Sequence, residues 1–463
     1  MKISFHGADR GVTGSCHLVS CAGKQILIDC GLYQGGRELE EENSEAFSFD
    51  PAKIDYVLLT HAHLDHCGRL PLLAKRGFRG EIIATAATRE LARLVMVDAA
   101  HLQAEEVQHR GHRATHHAKH EQAAAPLYSI LDAFLALDFF GRVVTYGQAV
   151  QLSPGIRATF MDAGHILGSA SIQLELEEDG RRRSVLFSGD LGNSGRPLLR
   201  NPAPPPQADI VVMETTYGDR LHKPMQPSVE EFYTAITDTF KRGGNVVVPT
   251  FALERAQELL YFLRAGVEKN RLPASMQVFL DSPMAISATE IFERYPECYD
   301  TVTADLFRDG KDPFHLQGLH FTRDPAESIA INHITGGAVI MAGSGMCTGG
   351  RIRHHLQNNI TREACSIVFV GYAATATLAR NIIDGAKEVR IYGDQIPVRA
   401  KIHTINGFSA HADQAELLAW HTQTGNPERT FLVHGEQEVM RQFASKLQGT
   451  EVVMPALNES FDI

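Results

Sequence analysis

The stretch "THAHLDHCGRLP", residues 60–71, constrains the fold more than any other part of the chain. An apolar run, "DYVLL", precedes it and an apolar-periodic run follows it, so the pattern predicts a strand, a tight turn and a helix. Four residues with metal-binding side chains lie in the turn: His61, His63, Asp65 and His66. His61 and His63 stand at alternate positions and can point the same way, whereas Asp65 and His66 turn toward a second position. The sequence therefore predicts metal binding at the end of this strand.

Four more candidate ligands follow apolar, strand-like runs elsewhere in the chain. Asp29 ends "ILID", His165 lies in "DAGHILGSA", Asp190 ends "VLFSGD" and His434 ends "FLVH". Strand ends followed by small residues let several loops converge on one edge of a sheet. Imidazole and carboxylate ligands together suit zinc or manganese. A pair of ions needs a bridging carboxylate, so we predict that Asp190 is the bridge, that His165 completes the first site and that His434 completes the second.

Composition limits the class of protein. The length of 463 residues predicts two large domains, or one domain that carries an insert. The net charge of −11 argues weakly against non-specific nucleic-acid binding. Its seven cysteines form no CxxC pair, so a zinc ribbon or disulfide framework is not expected, and Cys67 is interpreted as a small buried residue. The absence of a long apolar run or a signal-like N-terminus predicts a cytoplasmic protein without a membrane partner.

The pattern of elements changes along the chain. Up to about residue 200, short strand-like runs alternate with turns, and the histidine-rich segment 101–128 is interpreted as a solvated helix and loop because it is polar. The proline-rich segment 201–209 reads as a stiff connector. Beyond it, strand and helix patterns alternate regularly, which predicts a parallel α/β unit.

Several motifs together resemble a known family. "THAHLDHCGRLP", "GHILGSA" and "SGDLGN" resemble the metallo-β-lactamase superfamily. "METTYGDRLH", "FSAHAD" and "LVHGE" are similar to motifs of its β-CASP nuclease branch, and "VPTFALERAQELL", "DSPMA" and "SGMCTGGRIRHHL" resemble the inserted β-CASP cassette. The resemblance implies an α/β fold: an αββα sandwich from residues 1–218 and 401–463, with an inserted α/β domain at 219–400 built on a mainly parallel sheet.

The resemblance also implies roles for individual residues. Two Zn²⁺ ions are expected, with Mn²⁺ as an alternative, held by His61, His63, Asp65, His66, His165, Asp190 and His434. Asp29 would orient the ligand loop from outside. Asp65, Glu214 and His411 are expected to be catalytic, with Glu214 and His411 serving proton transfer.

The motif "LVHGE", which contains His434, bears on the choice of substrate. His434 at that position resembles the RNA-cleaving members rather than the DNA-repair members, and the chain is similar to a bacterial relative of the pre-mRNA 3′-end cleavage endonuclease subunit. This implies a ribonuclease for RNA processing or decay, acting as endonuclease, 5′-to-3′ exonuclease or both. Hydroxide activated by two zinc ions would hydrolyse phosphodiester bonds of single-stranded RNA and leave a 5′-phosphate.

Further residues are predicted to bind the substrate. The glycine-rich run "GSGMCTGG" can offer backbone N–H groups to a phosphate. The substrate-binding candidates are Ser344, Gly345, Met346, Arg351, Arg380 and His411.

The chain departs from the family pattern in one motif, and two other functions are compatible with the sequence. The family often shows a Gly-Thr-Leu-Gly-Arg run where this chain has Ala376 and Ala379, and the added methyl groups disfavour close approach of an RNA backbone there. A DNA nuclease of the same branch and a small-molecule hydrolase of thioesterase or lactamase type are the alternative functions. Homodimerisation is left open.

Overall fold

The structure, a computed structural model, describes residues 1–35, 37–114, 125–371, 373–374 and 377–463. Ala376 and residues 115–124 of the histidine-rich segment therefore lie outside the described residues. The described chain divides into two compact units. Unit 1 comprises Met1–Ser194, Asn201–Leu221 and His411–Ile463, and unit 2 comprises Gly195–Arg200 and His222–Ala410. Among the described residues, no helix combines the length and apolar character needed to cross a bilayer.

The strands are numbered along the chain. They are β1 (Lys2–Phe5), β2 (His17–Cys21), β3 (Lys24–Ile28), β4 (Tyr56–Leu58), β5 (Glu81–Thr85), β6 (Phe140–Val144), β7 (Ala149–Ser153), β8 (Ile156–Asp162), β9 (Ala170–Glu178), β10 (Arg181–Phe187), β11 (Ile210–Glu214), β12 (Val246–Pro249), β13 (Gln277–Leu280), β14 (Leu319–Phe321), β15 (Ala338–Ala342), β16 (Ser366–Val370), β17 (Glu388–Ile391), β18 (Asp394–Pro397), β19 (Lys401–Ile405), β20 (Arg429–Val433), β21 (Glu451–Val453) and β22 (Ser460–Asp462).

The helices are numbered in the same way. They are α1 (Arg37–Glu42), α2 (Leu64–Cys67), α3 (Leu70–Lys75), α4 (Ala86–Ala114), α5 (Ile130–Leu137), α6 (Met225–Lys241), α7 (Arg255–Glu268), α8 (Pro283–Phe292), α9 (Thr301–Arg308), α10 (Pro325–Ile331), α11 (Ile352–Asn359), α12 (Leu378–Ile383), α13 (Gln414–Thr422) and α14 (Gln437–Ala444). Short 3₁₀ turns occupy Pro51–Lys53 and Pro296–Cys298.

Unit 1 is built on two seven-stranded sheets. The first has the order β22-β1-β2-β3-β4-β5-β6 and the second the order β21-β20-β11-β10-β9-β8-β7. Strand β9 shows why they stack: Ile172, Leu174 and Leu176 are buried while the residues between them are more exposed, the period of a half-buried strand. One apolar core contains side chains from both sheets, so the sheets pack face to face.

Helices cover the outer faces of unit 1. Trp420 of α13 and Phe443 of α14 pack in a second apolar cluster with Leu186 and Val211 of the second sheet. Helix α5 contacts both α3 and α4, and α4 contacts β5 and β6 of the first sheet. The layers are therefore helix, sheet, sheet, helix, and the αββα sandwich predicted from the sequence is confirmed.

Unit 2 contains a six-stranded sheet of order β14-β13-β15-β12-β16-β19, in which every pairing is parallel. Strands β12, β15 and β16 are buried along their whole length, as expected for a parallel sheet covered on both faces. Ile352 and Leu356 of α11 belong to the core on one face. The mainly parallel α/β architecture predicted for this part of the chain is confirmed.

Candidate metal centre

The donors of the centre come from strand ends of unit 1. Strand β4 stops at Leu58, and the short helix α2 begins at Leu64 with His63 as its N-cap. Asp65 and His66 lie in that single turn, so the backbone direction changes between the two pairs of donors. The carbonyl of Thr60 accepts a hydrogen bond from the N–H of Ala170 (2.8 Å), which ties this turn to the start of β9 in the other sheet.

The first donor group contains His61, His63, His165 and Asp190. Nδ1 of His63 lies 3.1 Å from Nε2 of His61 and 3.2 Å from Nε2 of His165. Oδ2 of Asp190 lies 3.5 Å from Nε2 of His61 and 3.6 Å from Nε2 of His165. The four donor atoms lie within 4.8 Å of one another, the spread that a single ion could span.

The second donor group contains Asp65, His66 and His434. Nε2 of His434 lies 3.3 Å from Nε2 of His66 and 3.5 Å from Oδ2 of Asp65. Here it is the other oxygen of Asp190, Oδ1, that approaches: it lies 3.4 Å from Nε2 of His66 and 3.6 Å from Nδ1 of His434. Each oxygen of Asp190 thus faces one of the two groups, which is the arrangement of a bridging carboxylate.

Asp29 is not one of the donors, but its contacts with Thr60 and His66 orient the second donor group. Its carboxylate accepts hydrogen bonds from the N–H (2.8 Å) and the hydroxyl (2.8 Å) of Thr60, and it lies 2.7 Å from Nδ1 of His66. A carboxylate on Nδ1 leaves Nε2 of His66 as the free donor, directed at the second group. Thr216 acts similarly on the opposite side, because its hydroxyl lies 3.1 Å from Nδ1 of His434. Thr216 was not singled out in the sequence, although it follows a strand end that carries a candidate acid.

The charge and the hydrogen bonding of the donor atoms are compatible with bound metal cations. Within the described residues, the carboxylate of Asp190 is buried, its Oδ1 accepts no hydrogen bond, and no Lys or Arg pairs with it. Imidazole nitrogens also face one another at hydrogen-bond distance, as between His66 and His434, where a proton or a metal ion must lie between two lone pairs. Buried carboxylates and nitrogen lone pairs that converge without a cationic side chain are the donors of a metal site.

The pKa values follow from the same surroundings. Burial lowers the pKa of His61 well below its usual value and lowers that of His63 to about 4, so both imidazoles are neutral donors. Burial also works against a charged His66, but the carboxylates of Asp190 and Asp29 outweigh it and raise the His66 pKa well above normal. Burial would raise the pKa of Asp190, yet the imidazoles of His434 and His66 outweigh burial and hold that pKa well below normal. The second group therefore attracts positive charge.

Glu214 and His411 lie beside the donor groups. Glu214 ends β11, is fully buried, and accepts hydrogen bonds from the N–H of Leu191 (2.6 Å) and of Thr216 (3.3 Å). Both of its carboxylate oxygens lie 3.2 Å from Nδ1 of His411. Burial lowers the pKa of His411, but the carboxylate of Glu214 outweighs it and raises the pKa to about 9.

His411 also contacts the first donor group. Its ring centroid lies 4.5 Å from that of His165, and its side chain remains 20% exposed. Its Nδ1 lies 4.0 Å from Oδ2 of Asp190. With Nδ1 turned toward Glu214, the imidazole is positioned for proton exchange at its other nitrogen.

The remaining substrate-binding candidates lie in unit 2. Ser344, Gly345 and Met346 follow the carboxyl end of β15. The guanidinium of Arg351 donates to Oδ1 of Asp281 (2.7 Å) and to the carbonyls of Thr322 (3.0 Å) and Arg323 (2.7 Å).

These contacts separate the two arginine candidates. Arg351 is bound within the unit by a buried carboxylate, which favours a role in fixing the loop over direct contact with RNA. Arg380 pairs with Asp384 one turn along α12 (2.6 Å), and both side chains are exposed. The N–H of Ala379 bonds the carbonyl of Met346 (3.2 Å), so α12 begins next to the glycine-rich loop.

The seven cysteines are all buried, and none of them forms a disulfide. Cys67 is inaccessible to solvent, and its thiol donates to the carbonyl of Ala62 (3.5 Å) rather than pointing at a donor group. In the histidine-rich segment, the helix α4 continues to Ala114 and His101 is exposed.

A sandwich of this kind, with His and Asp donors at its strand ends, is the frame of a metal-dependent hydrolase. Three family models match the chain in succession: the metallo-beta-lactamase superfamily over residues 9–250, the Beta-Casp domain over 256–382, and the Zn-dependent metallo-hydrolase RNA specificity domain over 395–455. The chain therefore belongs to the metallo-β-lactamase superfamily, and within it to the β-CASP branch.

Individual relatives agree with this assignment. The chain is 40% identical over 465 aligned residues to Ribonuclease TTHA0252 from Thermus thermophilus, with 100% of both chains covered. It is 31% identical to Transcription termination factor FttA from Methanocaldococcus jannaschii, covering 97% of this chain and 69% of that protein. The RNase J-like protein of the same organism is 28% identical, with 97% and 96% covered.

One solved structure extends the comparison to the fold. The crystal structure of a protein of unknown function from Enterococcus faecalis V583 covers 99% of each chain with a TM-score of 0.55. Its sequence identity is 11%, so this likeness shows the shared fold alone.

Proposed function

We propose that the chain is a metal-dependent ribonuclease that hydrolyses phosphodiester bonds of single-stranded RNA and leaves a 5′-phosphate. Two Zn²⁺ ions, or Mn²⁺ ions in their place, would be held by the two donor groups. The proposed division of the chain is a metallo-β-lactamase domain at 1–218 and 401–463 and a β-CASP insert at 219–400, although unit 2 continues to Ala410 and its sheet includes β19.

The observation that carries the proposal is the placement of Asp190. One carboxylate oxygen faces His61 and His165, and the other faces His66 and His434. A site for a single ion would not need a second group of donors on the far side of the same carboxylate. Two adjacent ions are the form in which hydrolases clamp both the attacking and the leaving oxygen of a phosphodiester.

The comparisons support RNA as the substrate class. The family model over residues 395–455 describes an RNA specificity domain, and the relative that aligns over its whole length is named as a ribonuclease. The relatives named as transcription termination factors match less closely, and the chain covers 69% of the first of them. Ribonuclease activity is therefore the better-supported function.

The residues at the site have separate roles in the proposed hydrolysis. Metal ions bound here would polarise the phosphate and lower the pKa of water. Asp29 and Thr216 fix the rings of His66 and His434, so that the donors keep one geometry. Glu214 holds Nδ1 of His411 and favours the protonated imidazole. His411 can then give a proton from Nε2 to the departing 3′-oxygen.

The test compares cleavage of matched nucleic acids. Protein stripped of metal and reloaded with Zn²⁺ or Mn²⁺ is given a 5′-labelled single-stranded RNA and a DNA of the same sequence. Metal-dependent cleavage of RNA to 5′-phosphate products, with slower cleavage of DNA, is the expected result. Equal cleavage of DNA would favour the DNA-nuclease alternative. Hydrolysis of a thioester or β-lactam without RNA cleavage would overturn the proposal.

The same assay separates modes of cutting. RNAs with a 5′-phosphate or a 5′-hydroxyl, and circular RNA, are compared over time. Release of mononucleotides from the 5′ end would indicate an exonuclease, whereas cleavage of circular RNA would indicate an endonuclease. Gel filtration of the same preparation measures the oligomeric state.

A further inference from the structure

An exposed aromatic residue lies at the carboxyl edge of the unit 2 sheet. Phe251 is the second residue after the end of β12, and its side chain is 44% exposed although the strand before it is fully buried. It takes part in none of the ring pairs found among the described residues. Neither the donor groups nor the predicted substrate contacts include it.

The sheet topology marks this edge as a binding position. Strands β12 and β15 are neighbours, but the chain leaves β12 toward β13 and leaves β15 toward β16, in opposite directions along the sheet. Right-handed crossovers then place the two following helices on opposite faces, so the two loops diverge from one edge. Such a switch point at the carboxyl ends of parallel strands is where open α/β sheets bind ligands.

The two diverging loops touch at a defined place. The N–H of Thr250 bonds the carbonyl of Ala342 (3.0 Å), which holds the two strand ends together. A Cβ atom at Gly345 would lie 2.8 Å from Cε2 of Phe251, so the ring lies directly against the backbone of the glycine-rich loop. Glycine at this position lets one part of the ring pack while the rest stays exposed to solvent.

The glycine-rich loop also carries available donors. Within the described residues, the backbone N–H groups of Gly345, Met346 and Thr348 have no hydrogen-bond acceptor. The neighbouring N–H groups of Ser344 and Cys347 are used inside the loop, bonding Gly349 (3.3 Å) and Ser344 (3.1 Å). Unpaired N–H groups on a tight loop suit a phosphate oxygen. A phosphate-binding loop next to an exposed ring has the two parts of a nucleotide site.

We propose that Phe251 is a base-stacking residue, and that one nucleotide of the RNA lies with its base on this ring while the glycine-rich loop binds its phosphate. The inference rests on the proposed function, because it takes single-stranded RNA as the ligand. Stacking on a phenylalanine ring does not distinguish the four bases, so this position would bind RNA without sequence preference. It would position the strand rather than take part in bond cleavage.

The test replaces the ring without touching the metal centre. In Phe251→Leu and Phe251→Met, the KM for single-stranded RNA should rise about 5- to 150-fold, the range expected for loss of one base–aromatic stack. Phe251→Trp should restore a KM near that of wild type. The matched control is Phe134→Leu, at an equally exposed phenylalanine of α5 in unit 1 (45%), which should leave the KM unchanged.

A second readout does not depend on cleavage. An RNA that carries 2-aminopurine loses fluorescence when that base stacks, so it is titrated into chelator-treated protein with the fluorophore at each position in turn. Wild type should quench at one position and Phe251→Leu should not. Equal quenching in both, or none in wild type, would overturn the role of Phe251. Failure of metal-loaded wild type to cut RNA would instead overturn the proposed function, and the fluorescence comparison would still decide the role of Phe251.

Discussion

Replacing Asp29 with asparagine tests how far the metal centre depends on a residue outside the donor groups. Asp29 is 1% exposed, and its backbone φ of 61° lies in the left-handed region, where asparagine is favoured over most residues. The substitution therefore keeps the backbone and the volume. It removes a charge and replaces one of the two acceptor oxygens with a donor, so the contacts to Thr60 and His66 cannot all survive.

The magnitude follows from those contacts. Loss of the partner that orients a ligating histidine typically lowers metal affinity about 10–100-fold. A 100-fold loss corresponds to about 2.7 kcal/mol of binding free energy. Asp29→Ala would act differently, because the buried N–H groups of Thr60 and His66 would lack acceptors at a cost of about 1–3 kcal/mol each. The alanine variant should therefore lose folding stability, whereas the asparagine variant should mainly lose metal.

The assay is competition with a chromophoric zinc chelator, combined with thermal unfolding in excess chelator. Asp29→Asn should release zinc at chelator concentrations that leave wild type loaded, while its metal-free unfolding midpoint stays close to that of wild type. Asp209→Asn is the matched control, since Oδ2 of Asp209 accepts two hydrogen bonds from Ser184 (2.7 and 2.9 Å) away from the donor groups. Equal zinc affinity in wild type and Asp29→Asn would refute the reasoning.

Three further predictions follow from the site and from unit 2. His411→Ala should keep its full metal content but cleave RNA about 10²–10⁴-fold more slowly, as expected for loss of a general acid; a missing zinc ion in that variant would make His411 a ligand. His63→Ala should lose both metal and activity, measured by elemental analysis and RNA turnover, whereas the exposed control His333→Ala should lose neither. Burial would raise the pKa of Asp281, but hydrogen bonds led by that with His355 outweigh it and hold the pKa below its usual 3.8. A carboxyl whose pKa is lower in the folded state stabilises the fold above its unfolded pKa, and this contribution is lost as pH falls through the folded value. The difference in unfolding midpoint between wild type and Asp281→Asn should therefore narrow below about pH 4, and a constant difference from about pH 6 to pH 3 would contradict the assignment.

The donor residues could be located from the sequence because each one combines two local signals. An apolar strand-like run precedes His61, Asp190 and His434, and a small residue or a tight turn lies close by. Strands β10, β11 and β20 run parallel, so their carboxyl ends meet at one edge of the sheet, and a local pattern was enough to predict a shared site. The split into two donor groups also follows from spacing, since a short helix begins between His63 and Asp65.

Contacts between residues distant in sequence could not be predicted in the same way. Arg351 stands in a glycine- and arginine-rich run that suggests phosphate binding, but its guanidinium bonds Asp281, which lies at the end of another strand. That pairing depends on β13 and β15 being neighbours in the sheet, and nothing in the local sequence specifies the strand order. The exposure of Phe251 could not be predicted either, because an apolar residue after a buried strand is ordinarily assigned to the core.

The position of β20 has a consequence for how the protein is made. Chains are synthesised from the N-terminus, and β20 lies between β11 and β21 in the sheet although nearly half of the chain separates it from β11. The contiguous part of unit 2 is complete before His411 and β20 emerge. The edge of β11 in the second sheet of unit 1 therefore stays unpaired until β20 has been synthesised. A chain stopped before β20 would possess the first donor group but lack His434 from the second, so the complete metal centre cannot form until β20 and His434 have been synthesised.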